Sequence, residues 1–261
     1  MRVFATSDLH VDHDANARWV KELSQQDFQD DVLILAGDIS DRMVLLEWTL
    51  TEFAKRFSQV LFVPGNHDLW VVREDMTSLE KLSLLSDLAA QVGVETSSWA
   101  TRELQIIPLQ GWYDYSFAEP GPWLRRRWMD FRACSWPEFQ DDPLQVAKFF
   151  DACNAPMEPE AVSTVITFSH FLPRIDVMPH RIPAEHRRIY PVLGTSRLDR
   201  HIRRLGASLH VYGHSHVNRH VGIDGIQYVN NAFGYPRENR IARKQLLCIY
   251  ENGALTKTDN R

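Results

Sequence analysis

The sequence predicts an α/β fold: one domain with two sheets packed face to face and helices outside. Three observations lead there. Short apolar runs bounded by turn residues alternate with segments of helical period through the first ninety residues, a βαβ pattern that implies parallel strands with right-handed crossovers. Further strand-like runs return at 162–168, 209–212 and 245–250, too many for one small sheet. With 261 residues, 44% of them hydrophobic, the chain can bury a large core without disulfide support.

The elements follow in order. Residues 2–6 open the first strand, and 14–26 suit a helix. The runs at 32–36 and 60–63 are apolar throughout, as strands covered on both faces are. Between them, Val44, Leu45, Trp48, Phe53 and Phe57 recur at helical spacing over 42–57. A third helix is expected over 75–91, then strands at 104–107 and on through Trp112. Residues 113–160 have many aromatics and prolines, three adjacent arginines and no clear period. They read as an insertion of short helices lying over a site, within a single domain of residues 1–261. A strand at 162–168 follows, then a helix over 196–205 with Leu198, Ile202 and Leu205 on one face, a strand at 209–212, a hairpin turning at Asp224-Gly225, and a final strand.

Composition narrows the function classes. Cys134, Cys153 and Cys248 are widely spaced and form no CxxC, so they are expected to be buried free thiols of a reducing compartment. No apolar leader precedes the first strand and no run is long enough to span a bilayer, which points to a cytoplasmic protein with no membrane partner. A net charge of −5 argues against a nucleic-acid partner, although 125–127 and 187–188 are locally basic.

The chemistry lies at the strand ends. Asp8-Leu9-His10, Gly37-Asp38, Gly65-Asn66-His67-Asp68, Ser169-His170 and Gly213-His214-Ser215-His216 each stand where an apolar run gives way to a polar turn. In open α/β folds such ends converge on one crevice. Any one cluster is a turn signal with an ordinary histidine or N-cap aspartate. Together they supply carboxylate, amide and imidazole donors without thiolate, a set suited to manganese first, with iron or zinc as alternatives. The other histidines, His13, His180, His186, His201, His210 and His220, are expected to be exposed or structural.

These five clusters, in this order, resemble the calcineurin-like metallophosphoesterase superfamily, in a bacterial-type branch suggested by the string Gly234-Tyr235-Pro236-Arg237-Glu238. The resemblance implies a four-layer αββα sandwich and two divalent metal ions. Asp8, His10 and His216 would hold the first, Asn66, His170 and His214 the second, and Asp38 would bridge them. It also implies a hydroxide bridging the metals as nucleophile and His67 as general acid. The adjacent Asp68 is expected to hold the His67 tautomer and raise its pKa. Two divalent cations outweigh Asp8, Asp38 and a bridging hydroxide, leaving about one unit of positive charge to draw in a phosphate.

Arg42, Arg174 and Arg237 are the expected substrate-binding cations. Asp41-Arg42 has the spacing of protein serine/threonine phosphatases, but Met43 replaces their glycine and Asp68 their glutamate. The aromatic stretch at 111–117 offers either rings for stacking on a base or the packing of a cap. The expected activity is hydrolysis of a phosphodiester or phosphomonoester of a small molecule, for example a nucleotide. The alternatives are a nuclease acting on DNA or RNA and a non-catalytic metal-bound scaffold. The intact His67-Asp68 pair argues against the scaffold, since a pure binding module has no need for it.

Overall fold

The structure, a computed structural model, describes residues 1–72 and 74–256. In chain order the elements are β1 Arg2–Thr6, α1 Asp14–Glu22, β2 Val32–Ala36, α2 Met43–Ala54, β3 Gln59–Val63, α3 Ser78–Gln91, β4 Trp99–Ala100 and β5 Leu104–Pro108. Then come α4 Pro122–Arg127, α5 Asp130–Ala133, α6 Pro143–Asn154, β6 Thr164–Phe168, α7 Ser196–Arg204, β7 Leu209–Tyr212, β8 Arg219–Ile223, β9 Ile226–Asn230, β10 Leu247–Glu251 and β11 Ala254–Leu255. One sheet has the order β11-β10-β1-β2-β3, the other β4-β5-β6-β7-β9-β8. Both are mixed: β1-β2-β3 and β5-β6-β7-β9 run parallel, with antiparallel strands outside them.

The two-residue period of the strands explains the layering. Val3, Ala5, Val32, Ile34 and Ala36 point inward and meet Ile106, Ile166, Phe168, Leu209 and Val211 of the other sheet in one buried cluster. The alternate residues Phe4, Leu33, Leu35 and Phe62 point outward and pack with Val20, Leu46, Leu50, Phe53 and Leu85 of α1, α2 and α3. Both faces of the central strands are thus covered, which is why their sequences are apolar without alternation. Helices outside two stacked sheets give the αββα arrangement.

Four local expectations change. The first two helices end early, at Glu22 and Ala54, and Val44 stands 70% exposed because the buried stripe of α2 is Leu46, Thr49, Leu50 and Phe53. No strand forms over 109–112: the Gln110 amide donates to Asn154 Oδ1 at 2.9 Å and its carbonyl accepts from Asn154 Nδ2 at 2.7 Å. An α6 side chain has thus taken the bonds of a neighbouring strand. Trp112 and Tyr113 are 1% exposed and pack with Trp136, Phe150 and Phe171, so they are core rings and cannot stack on a base. All three cysteines are free, but Cys153 is exposed and the other two only half-buried. Residues 113–160 form α4, α5, a 3-10 turn at Pro137–Phe139 and α6, joined to the outer core through Leu124, Trp136, Val146 and Phe150.

Candidate metal centre

Five strand tips point their following loops at one place. Asp8 and His10 follow β1, Asp38 follows β2, Asn66 follows β3, His170 follows β6, and His214 and His216 follow β7. The loops are tied to one another by backbone bonds: Asp8 N–H donates to Gly37 O at 2.8 Å, His10 N–H to Asp38 O at 3.0 Å, and Gly213 N–H to His170 O at 2.9 Å. The approach leaves no room for a side chain at Gly37 or Gly65. A Cβ on Gly37 would lie 2.6 Å from Gly65 N, and one on Gly65 would lie 2.2 Å from Asp38 Oδ1. Asp8, His10, Asp38, His214 and His216 all have φ between 44° and 67°. Each such non-glycine residue costs roughly 1–2 kcal/mol, and a cluster of them marks a functional site.

The donor atoms form two groups that share one residue. Asp8, His10, Asp38 and His216 each offer an atom within 4.8 Å of the others, and so do Asp38, His170 and His214. Asn66 joins the second group, its Oδ1 lying 3.0 Å from His170 Nε2. Across the groups, Asp38 Oδ2 is 4.0 Å from His10 Nε2 and 3.4 Å from His170 Nε2.

Hydrogen bonds settle which atoms face inward. His170 Nδ1 lies 2.9 Å from Ala36 O and His214 Nε2 lies 3.0 Å from Val192 O. A carbonyl only accepts, so those nitrogens carry the protons. Asn66 Nδ2 donates to Asp130 Oδ1 at 2.8 Å, which turns Asn66 Oδ1 inward. His170 Nε2, His214 Nδ1, Asn66 Oδ1 and Asp38 Oδ2 then converge as acceptors, and no donor lies among them. A cation is the complement of such a set, and the outer bonds are those that orient metal-binding imidazoles. In the first group, His216 Nδ1 sits 2.6 Å from Glu238 Oε2 and its Nε2 lies 3.2 Å from Asp8 Oδ1. His214 N–H donates to Asp8 Oδ1 at 3.0 Å.

The electrostatics fit the same picture. Burial holds His10, His170 and His214 below the usual imidazole range, so they are neutral and free to coordinate. Burial, with Asp8 and Asp68 beside it, raises Asp38 well above the carboxylate range. Burial opposes ionisation of Asp8 too, yet His216 and its neighbouring imidazoles hold Asp8 low. Burial likewise opposes the charge on His216, but Asp8 and Glu238 raise it to about 10. Three neutral imidazoles suit divalent cations, and a bound cation would displace the protons that Asp38 and His216 otherwise keep.

His67 lies beside the centre, Nε2 3.9 Å from Asp38 Oδ2, with its ring stacked on Trp70 at 3.7 Å and 26°. Its expected support by Asp68 fails. Asp68 accepts four backbone amides: Asp38 N at 2.8 Å, Ile39 N at 2.8 Å, Ser40 N at 3.0 Å and Gly65 N at 2.8 Å. Both carboxylate oxygens face the loops and none faces the imidazole. Nor is the His67 pKa raised, since burial and the imidazoles of His170 and His216 push it down to about 3. The substrate arginines also differ from expectation. Arg174 is held by Asp176 at 2.7 and 2.8 Å and by Asp224 at 3.3 Å, so its charge is neutralised away from the centre. Arg42 and Arg237 are exposed, and among the described residues neither side chain has a partner.

Several residues at the centre were not singled out by the sequence. Tyr235 stacks on His10 at 4.5 Å and 25° and meets His216 edge-on at 5.0 Å. Glu238 holds His216 and accepts from Tyr235 N–H at 2.8 Å. Both belong to the Gly-Tyr-Pro-Arg-Glu string, which was read for its arginine. Trp70 and Asp130 complete the set. His210 is structural: fully buried, it lies 2.9 Å from Thr167 Oγ1 and 3.0 Å from Ser169 Oγ.

The chain belongs to the calcineurin-like phosphoesterase family, which it matches over residues 1–218. It is therefore a phosphoester hydrolase of a family that uses divalent metals. A curated relative, the [acyl-carrier-protein] phosphodiesterase PptH of Mycobacterium tuberculosis, is 28% identical over 264 residues, covering 91% of this chain and 79% of the relative. The crystal structure of the phosphopantetheinyl hydrolase PptH from the same organism superposes with a TM-score of 0.78 at 26% identity, covering 98% of each chain. A further solved structure, 13% identical with a TM-score of 0.51 over 88% of this chain, shares the fold. Among the described residues no helix is long and apolar enough to cross a membrane.

Proposed function

We propose that the chain is a dinuclear metal-dependent phosphodiesterase that cleaves the phosphodiester joining a phosphopantetheine-type arm to a carrier protein. The observation that carries the dinuclear reading is the convergence of inward acceptors in two groups sharing Asp38. Asp8, His10 and His216 would hold one ion and Asn66, His170 and His214 the other, with Asp38 available to both. Manganese leads, with iron or zinc as alternatives. When bound, the pair supplies positive charge for the phosphate oxygens and acidifies a water for in-line attack.

The chain's own residues do the rest. His67 stands 3.9 Å from Asp38 and offers an N–H to the leaving oxygen, and an incoming phosphate anion raises its affinity for a proton. Trp70 holds the ring by stacking. Tyr235 covers one face of His10 by stacking on it.

Support for a carrier-protein substrate comes from the similarity to PptH over nearly the full chain and from a set of exposed arginines. Arg125, Arg126, Arg127, Arg187 and Arg188 are exposed in a chain whose net charge is −5, and none has an ion-pair partner among the described residues. Arg188 lies over the Trp123 ring at 5.8 Å, linking α4 to the 3-10 segment His186–Val192, whose Val192 carbonyl holds His214. These arginines would meet an acidic carrier. Residues 113–160 then act as a cap on a single domain of 1–261. Free thiols at Cys134, Cys153 and Cys248 suit a cytoplasmic location.

The test is turnover by Mn2+-reconstituted protein on a pantetheinylated acyl carrier protein and on a bis-aryl phosphate. Release of phosphopantetheine with kcat/KM well above that on the aryl ester supports the reading. Turnover of the aryl ester alone overturns the carrier assignment. No turnover of either by protein that binds two metals overturns the enzymatic one.

A further inference from the structure

Asp130 is a buried carboxylate outside the metal groups and outside the loop network of Asp68. It opens α5 in the segment 113–160 and is 3% exposed. Its Oδ1 accepts from Asn66 Nδ2 and from Trp70 Nε1, both at 2.8 Å. Its Oδ2 accepts from Trp128 Nε1 at 2.7 Å. With both oxygens engaged, Asp130 is absent from the groups able to hold an ion. A carboxylate surrounded by donors from three separate residues has a function other than coordination.

Each donor touches the centre. Asn66 turns its Oδ1 inward only because Asp130 takes its amide protons. An amide is nearly symmetric in shape, and reversed it would point an N–H at the His170 lone pair 3.0 Å away, fill the second group and exclude a cation. Trp70 is the ring on which His67 stacks at 3.7 Å. Trp128 meets the His214 ring edge-on at 5.8 Å. We infer that Asp130 is the positioning residue of the second metal group: it fixes the orientation of the Asn66 amide, and through two indoles it sets His67 and His214. The segment 113–160 thereby has a part in building the centre as well as covering it. This assignment rests on the dinuclear reading above.

The test is a pair of variants. Asp130→Asn keeps the shape and places a donor where an acceptor is required. Asn66→Asp combined with Asp130→Asn exchanges the two groups, so that the new amide donates to the new carboxylate and an oxygen again faces inward. Mn2+ titration by calorimetry and electron paramagnetic resonance reads each site separately from activity. The single variant is expected to weaken one of two ions by about 10–100-fold and leave the other unchanged. The exchanged pair is expected to recover at least threefold of that loss. A purely structural carboxylate would not respond to a change at Asn66. Two ions bound by Asp130→Asn with wild-type affinity overturn the assignment, as does equal weakening of both without recovery in the pair. Should Asp130→Asn not fold, Trp70→Phe keeps an aromatic ring and deletes one donor. It is expected to lower kcat on alkyl esters at least tenfold with both ions retained, and unchanged kcat counts against the assignment. Wild-type protein that binds fewer than two ions removes the dinuclear reading, whereas two ions in wild type and an unaltered Asp130→Asn remove the positioning role alone.

Discussion

His170 Nε2 and His214 Nδ1 face each other across 3.0 Å with the proton of each ring on the opposite side, given to Ala36 and Val192 carbonyls. Two lone pairs at that distance repel unless a positive charge lies near both. Metal should therefore stabilise the fold. Mn2+ at about 100 times its Kd should add about 2.7 kcal/mol, read as a rise in Tm over protein treated with chelator. Replacing His214 with Ala should remove much of that rise, and an equal response in the variant would refute the arrangement.

His67→Ala should leave metal content intact. It should lower kcat on alkyl phosphodiesters by about 10²–10⁴-fold, the usual range for a lost proton donor. Esters with an aryl leaving group should lose far less. Equal losses on both, measured with metal content held constant, would remove His67 from the leaving-group step.

Asp68→Asn should cost stability whatever stands at position 67. It weakens acceptance of four buried amides from the Asp38 and Gly65 loops, a loss on the order of 2–4 kcal/mol. Urea denaturation of the single variant and of the pair with His67→Ala should give the same increment. Strong non-additivity would restore a direct link between the two side chains.

Asp31 accepts the Arg2 backbone amide at 2.7 Å and its guanidinium at 2.9 Å, tying β1 to the turn before β2. Burial opposes its ionisation, but the bonds and charge of Arg2 hold the carboxyl below its ordinary value. A depressed folded pKa contributes stability that is complete above the unfolded value of about 3.9 and is lost as pH falls through the folded value. Asp31→Asn should thus be less stable than wild type at pH 7, with the gap narrowing below about pH 4. A gap constant between pH 7 and pH 3 in denaturant titrations would contradict this.

The parts of this molecule legible in its sequence are those written locally. The apolar runs at 32–36 and 60–63 and the polar tips after them follow from strand chemistry alone, and so do the residues that gather at those tips. Side-chain partners distant in the chain are not written locally. Asp130 reaches Asn66 across 64 residues and Trp70 across 60, and no spacing rule connects them. Arg174 is different: its nearest partner, Asp176, stands two residues on, and only the further contacts to Asp199 and Asp224 come from α7 and the β8–β9 turn. Asp68 was misread because its immediate neighbour is a histidine, while its actual partners are backbone amides that any sequence carries. In the Tyr235–Glu238 string the cation drew attention, but the ring and the carboxylate lie against the centre.

β1 is paired on one side with β10, and its tip is closed by the segment between β9 and β10: Ser7 N–H donates to Asn231 O, Phe233 N–H to Ser7 O and Gly234 N–H to Asp8 O. Beyond Gly37, whose carbonyl accepts from Asp8 N–H, the residues that hold this tip in place are thus made more than two hundred positions after it. The opening loop meets the loop after β2 early in synthesis, but its second clamp must wait for the segment after β9, so the first metal group closes only once that segment has left the ribosome.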